Sequence, residues 1–204
     1  MQCKKKETLS FYLMIMKKKL LIIFICFTHF IHSQLINYIN INIQLLEENI
    51  INEVNKQRSK LGGTTINYSA VIHENVSKNI TRNLVNKQKV YHPFSDKLYE
   101  KILIPLKFEC IEKHDYVIKK ISSETEVCIM IPIAFAKSKK IKTYQELAVL
   151  FANTWKSSSA HRGILFGYGE NSKFLLGAVS IQFGNYKGYK SMYVSFQLLR
   201  PILN

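Results

Sequence analysis

The chain has 204 residues, 47% of them hydrophobic, with 29 Lys and Arg against 14 Asp and Glu and a formal net charge of +15. That length and apolar fraction exclude a disordered polyelectrolyte and suit one domain of ordinary size. The charge does not signify nucleic-acid binding, because the lysines are scattered and no basic stripe with interleaved aromatics occurs.

At the N-terminus, Lys17, Lys18 and Lys19 precede a short apolar run that ends near Ser33. A basic segment followed by such a run reads as a secretory signal peptide over 1–33, with cleavage after the small Ser33. Residues 1–15 read as an extension ahead of a second start at Met16. The run is too short for a comfortable membrane span; the alternative is an uncleaved anchor. The mature chain is expected outside the cytoplasm, in the periplasm or extracellular space. Its association with membrane is limited to an uncleaved signal or to the attraction of positive charge for anionic envelope surfaces.

Residues 34–44 are polar and Asn-rich and read as a linker before a domain over 45–200. From Leu45, Leu46, Ile50, Ile51 and Val54 recur at helical spacing, and Gly62 and Gly63 end the helix. Asn67 and Ser69 offer caps for a second helix over 70–89, which stops near Tyr91, His92 and Pro93. Residues 98–106 fit a short helix or a strand. The stretches 116–121 and 127–131 are rich in β-branched residues and read as two strands. Residues 137–142 read as a charged loop. Thr143 and Glu146 form a capping box for a helix over 144–155 that carries Leu147, Leu150, Phe151 and Trp155 on one face. A Ser-rich turn follows. Residues 174–183 and 191–199 then read as a β-hairpin. Helices, strands, a helix and a hairpin in that order indicate an α+β domain with an antiparallel sheet.

Several pieces of the chain, in order, resemble the CAP superfamily (SCP/TAPS, pathogenesis-related-1-like domains), in particular its short bacterial members. Asn55 and Arg58 lie three residues apart ahead of the glycines, and His92 follows the second helix. Trp155, Ser158, His161 and Arg162 match a Trp-x-x-Ser-x-x-His-Arg segment. Residues 177–182 and 193–196 resemble the closing strand pair. The likeness runs from about Leu45 to Leu198. It implies an α-β-α sandwich with a central antiparallel sheet and helices on both faces. It also implies a cleft between His92 and His161 that in some members binds zinc or another divalent ion. The family's Gly-Glu-Asn motif has no match ahead of the Trp helix. The nearest carboxylate is Glu126, between Thr125 and Val127, while Gly169-Glu170-Asn171 lies after His161 and reads as a hairpin turn.

His92 and His161 are thus the candidate metal ligands, with Glu126 as third ligand or base and Ser158 and Tyr91 lining the cleft. The alternative is a metal-free pair of histidines hydrogen-bonded to Ser158, Tyr91 or water. Ser158 and His161 do not read as nucleophile and base, since no orienting carboxylate is evident and a Ser-rich turn caps helices. Trp155, Asn55, Arg58 and Arg162 read as structural, Arg162 through a carboxylate or a carbonyl. His73 and His114 read as surface residues. Cys110 and Cys128 leave a disulfide and two buried thiols equally open. Three functions follow as expectations: a non-catalytic module that binds a lipid, peptide or cell-wall ligand, a divalent-metal hydrolase using His92, His161 and Glu126, and a structural or effector protein with a vestigial cleft.

Overall fold

The computed structural model describes residues 34–92, 96–167 and 174–203, without the side chains of 96–101, 118–125 and 203. The segment 1–33, expected to be a signal peptide, and Gly169-Glu170-Asn171 lie outside the described residues. Residues 35–204 form one compact unit.

The segment that reads as a linker is docked onto the domain. Leu35 bridges Thr143, the Ile36 amide donates to the Lys142 carbonyl, and the Tyr38 hydroxyl donates to the Ile141 carbonyl at 3.0 Å. Asn42 then caps helix α1 (Ile43–Lys60) by accepting from the Leu45 amide. A short strand β1 (Ile66–Tyr68) leads to Ser69, the N-cap of helix α2. This helix begins α-helical (Ala70–Ile72), widens into a π-turn (His73–Ser77) and resumes as Lys78–Lys87. Gln88, at φ 47°, closes it in the left-handed region.

Helix α3 (Asp96–His114) decides between the two readings of 98–106 in favour of a helix. Its Glu109 is buried and reaches the N-terminus of α2. There it accepts from the Ser69 hydroxyl, from the Ala70 amide at 2.8 Å and from the Val71 amide at 3.4 Å. A carboxylate on those amides matches the positive end of the helix dipole.

The two expected strands of 116–131 are one strand, β2 (Ile118–Pro132), carried past its polar centre by irregularities in its pairing with β4. The charged loop is partly helical, as α4 (Ile133–Ser138). Helix α5 (Tyr144–Ser157) starts on the capping box of Thr143 and Glu146. Ser158 leaves helical geometry at ψ 124° and starts helix α6 (Ser159–Phe166), so the Ser-rich turn is a single-residue break. Strands β3 (Leu175–Tyr186) and β4 (Tyr189–Leu203) form the hairpin, longer than the pattern implies. Lys187 and Gly188, at φ 49° and 84°, make its two-residue turn.

The sheet has the order β1-β3-β4-β2. Three strands are antiparallel, but β1 adds to β3 in parallel, so the sheet is mixed and not purely antiparallel. Helix α1 packs on one face of the sheet, and its Asn55 holds both main-chain groups of Ile66 where β1 runs parallel to β3. Side chains alternate across the pleat. Val127, Ile131, Val179, Ile181, Val194 and Phe196 pack with α1, α4, α5 and α6 on one face. Cys128, Leu176, Ala178, Tyr193 and Leu199 pack with α2 and α3 on the other. The domain is therefore an α+β sandwich with helices on both faces.

Trp155 is fully buried against Phe151 and, edge-on at 6.1 Å, Phe196. Its indole Nε1 has no hydrogen-bond partner among the described residues. Trp155→Ala should cost about 3–5 kcal/mol by cavity formation. Trp155→Phe, which also removes a stranded donor, should cost clearly less; urea denaturation of both variants measures the difference. Gly177 leaves no room for a side chain: a Cβ there would sit 2.6 Å from Ile66 Cγ2 and 2.8 Å from the Gln197 carbonyl oxygen. Gly177→Ala should destabilise by about 1–3 kcal/mol in the same assay, by forcing β1 off β3.

Candidate functional site

Three features of α1 and α6 fix the elements around the candidate cleft. Asn55 pairs with both main-chain groups of Ile66, donating to its carbonyl at 2.9 Å and accepting from its amide at 2.8 Å. Arg58 is fully buried; its Nε donates to the Thr64 carbonyl at 2.7 Å, and its guanidinium also donates to the Leu165 carbonyl at the end of α6. The C-terminal part of α1 thereby holds β1 and α6 together. Ser158 caps α6, with its hydroxyl accepting from the His161 amide at 3.5 Å. His161 sits in the first turn of that helix, half-buried.

His92 follows α2 and is exposed. Its Nδ1 lies 3.1 Å from Oε1 of Glu126, a buried residue on β2. The imidazole rings of His92 and His161 stand edge-on, with centroids 6.1 Å apart. The structure thus brings His92, His161 and Glu126 together. It adds one group that the sequence offers only as a disulfide candidate: the Cys128 thiol donates to the same Glu126 oxygen at 3.1 Å. One ligand atom each from His92, Glu126 and Cys128 lies within 4.8 Å of the others. The pleat explains it, since Glu126 and Cys128 are two residues apart on one strand and share a face. The signal is present in the alternation of β2, and is hidden as long as Glu126 is placed ahead of a strand.

Cys110 and Cys128 are both free thiols in the apolar layer under α2 and α3, which replaces the disulfide reading. Burial pushes the Cys110 thiol up to about 12, helped by the Glu109 charge. Burial likewise pushes the Cys128 thiol far up, reinforced by the Glu126 carboxylate beside it. In both, the protonated thiol is the resting form. His161 is shifted the opposite way from a paired histidine: burial and then the neighbouring His92 lower its pKa.

The remaining expectations divide. Tyr91 is half-buried against the α2/α3 layer, next to His92 in sequence. Arg162 is exposed on α6, and its amide donates to the Ser158 carbonyl at 2.8 Å. His114 is not a free surface group, because its ring lies 5.3 Å from that of Phe174. His73 is the clearest correction. It is buried, with carboxylates on both ring nitrogens: Glu47 at 3.1 Å and Glu74 at 3.0 Å. It lines a cavity of about 910 Å³ whose walls include Ile43, Ile51, Tyr68 and Ile181. Neither His92 nor His161 borders that cavity.

No family model matches the chain, and no curated protein matches it. Among solved structures, it is similar to an outer surface protein from Borrelia burgdorferi, at 14% identity and a TM-score of 0.43, over 80% of this chain and 96% of that one. Among the described residues no helix is long and apolar enough to cross a membrane.

The His161 environment yields a measurable consequence. Its titration midpoint, followed by NMR of the ring protons, should fall below the ordinary value of about 6.5. In His92→Ala it should rise only part of the way back, because burial is the larger cause. A wild-type midpoint at or above the ordinary value would contradict the placement of His161.

Proposed function

We propose that the chain acts outside the cytoplasm as a non-catalytic CAP-like binding module, with a divalent-metal site of His92, Glu126 and Cys128 and with His161 at its rim. The observation that carries this reading is the convergence of three unlike ligand atoms within 4.8 Å. Ligand atoms on a tetrahedral zinc stand roughly 3.3–3.8 Å apart, given bonds of about 2.0–2.3 Å. The two 3.1 Å contacts to Glu126 need only a small spreading to reach that geometry. A thiol, an imidazole and a carboxylate favour a borderline ion such as Zn²⁺ over Mg²⁺ or Ca²⁺, which prefer oxygen ligands. Such an ion would supply positive charge at the cleft and tie the segment after α2 to β2.

Two features favour binding over hydrolysis. The only carboxylate of the group is buried and already engaged by His92 and Cys128, so no separate base stands beside a metal-bound water. Ser158, the hydroxyl that the sequence places three residues before His161, is committed to capping α6. The exposed edge of His92 is where a lipid, peptide or cell-envelope ligand would meet the site.

The thiol gives the test its readout. Co²⁺ titrated into purified residues 34–204 should produce a thiolate-to-metal absorption band in the near ultraviolet. The band should vanish in Cys128→Ser. Zn²⁺ affinity should fall at least about tenfold in His92→Ala, with a smaller loss in His161→Ala. Affinity should also drop steeply as pH falls, because the metal displaces protons from the thiol and the imidazole. The reading fails if the wild type binds Zn²⁺ no more tightly than the His92→Ala/Cys128→Ser double variant at equal thermal stability.

A further inference from the structure

The cavity beside His73 lies where the sheet has an open flank. Strand β1 pairs with β3 only as far as Gly177, so among the described residues β3 continues without a strand neighbour on that side through Ile181. There Glu47 of α1 takes the place of a strand: its Oε1 accepts from the Ile181 amide at 2.9 Å. Its other oxygen, Oε2, lies 3.1 Å from His73 Nε2 in the π-turn of α2. Helices α1 and α2 pack on opposite faces of the sheet. One carboxylate and one imidazole therefore connect both helical layers around the edge of β3.

The hydrogen-bond chemistry of His73 permits this only in one charge state. Both ring nitrogens face carboxylate oxygens, and a neutral imidazole carries a single N–H. With His73 neutral, one nitrogen would present a lone pair to a carboxylate. With His73 protonated, both contacts are charge-assisted hydrogen bonds. We propose that His73 is a pH-operated latch: protonated, it ties α1 to α2 over the open edge of β3 and closes one wall of the cavity; neutral, it releases Glu47 and lets that wall open.

The charged and titratable groups around the ring are Glu47 and Glu48 from α1, Glu74 and Lys78 from α2, and Tyr68 from β1. Lys78 binds Glu74 at 2.7 Å and opposes protonation of the ring. Burial also opposes it, yet the hydrogen bond to Glu47 is the largest influence, and the His73 pKa stands above the ordinary histidine value. Tyr68 is shifted up from 10.0, mainly by burial, so it stays neutral through the range in which the latch operates. The sign follows from the raised value. The stabilisation is fully present below the pKa of an unfolded histidine and is lost as pH rises through the folded value.

Two measurements on the wild type and on His73→Gln and Glu47→Gln test the latch. By NMR, the His73 ring should titrate above about 6.5, and in Glu47→Gln the midpoint should move down. By hydrogen exchange, the Ile181 amide of the wild type should lose protection, corrected for intrinsic rate, by at least about tenfold as pH rises past that midpoint. In His73→Gln its protection should be low and independent of pH. A wild-type midpoint at or below the ordinary value, or corrected Ile181 protection that does not change with pH, overturns the proposal. His73→Gln keeps a polar side chain of similar reach, and should it fail to fold, the wild-type titration and exchange profile still decide.

Discussion

The placement of α6, and with it of His161, depends on the buried guanidinium of Arg58. Taking a charge out of water costs several kcal/mol unless hydrogen bonds replace the lost hydration. Here main-chain carbonyls of Thr64 and Leu165 take part in that replacement. The choice of carbonyls matters. Leu165 lies at the C-terminal end of α6, where unpaired carbonyls carry the negative end of the helix dipole. Arg58 therefore satisfies groups that the end of α6 would otherwise leave buried and unpaired. A lysine could not span both carbonyls, since it lacks the planar fork of donors. His161 lies one helical turn before Leu165, so the bond that anchors the end of α6 also sets the height at which its imidazole reaches His92.

The opposite face is held by neutral polar groups and one carboxylate. Ser77 donates to the side chain of Gln197, Thr81 shares a hydrogen bond with Ser180, and the Ser195 hydroxyl donates to the Ser77 carbonyl at 3.2 Å. These small residues let α2 lie close on β3 and β4, and their hydroxyls remain satisfied within the layer. Glu109 closes the start of the same helix. A buried seam of this kind specifies one register of helix on sheet, because a shift by one residue would strand every donor at once. The π-turn at His73–Ser77 fits the requirement. It carries Ser77, both donor and acceptor in this seam, and His73, whose ring reaches Glu47 of α1.

The sequence reveals elements whose signals are local. The capping box of Thr143 and Glu146 and the apolar face from Leu147 to Trp155 are each written within a few residues and have their expected form, and the final hairpin is present with a tighter turn than the pattern implies. The fold class follows from their order. What the sequence conceals depends on partners far along the chain. Nothing near Ile66 says that β1 joins β3 in parallel, and nothing near His73 points to Glu47 or Glu74 as a matched pair of acceptors. The docked segment 34–44 looks like a linker because nothing local marks its partners: hydrogen bonds go to main-chain groups of Ile141 and Lys142, and Ile36, Tyr38 and Ile41 pack on a core assembled from distant elements. Cys128 is intermediate: its parity with Glu126 is readable, but only once β2 is one strand and not two.

His73 and His161 show why the same residue type serves different ends. His73 has a carboxylate on each nitrogen, and its pKa is raised. His161 has burial and a second imidazole, and its pKa is lowered. Around the ordinary histidine value there is accordingly a span of pH in which His73 is charged while His161 is neutral. In that span His73 donates to a carboxylate from each ring nitrogen, while His161, beside His92, keeps one nitrogen unprotonated. As pH rises out of the span His73 is the ring that changes charge, and as pH falls out of it His161 is. Two carboxylates favour the imidazolium, whereas burial beside a second imidazole disfavours it.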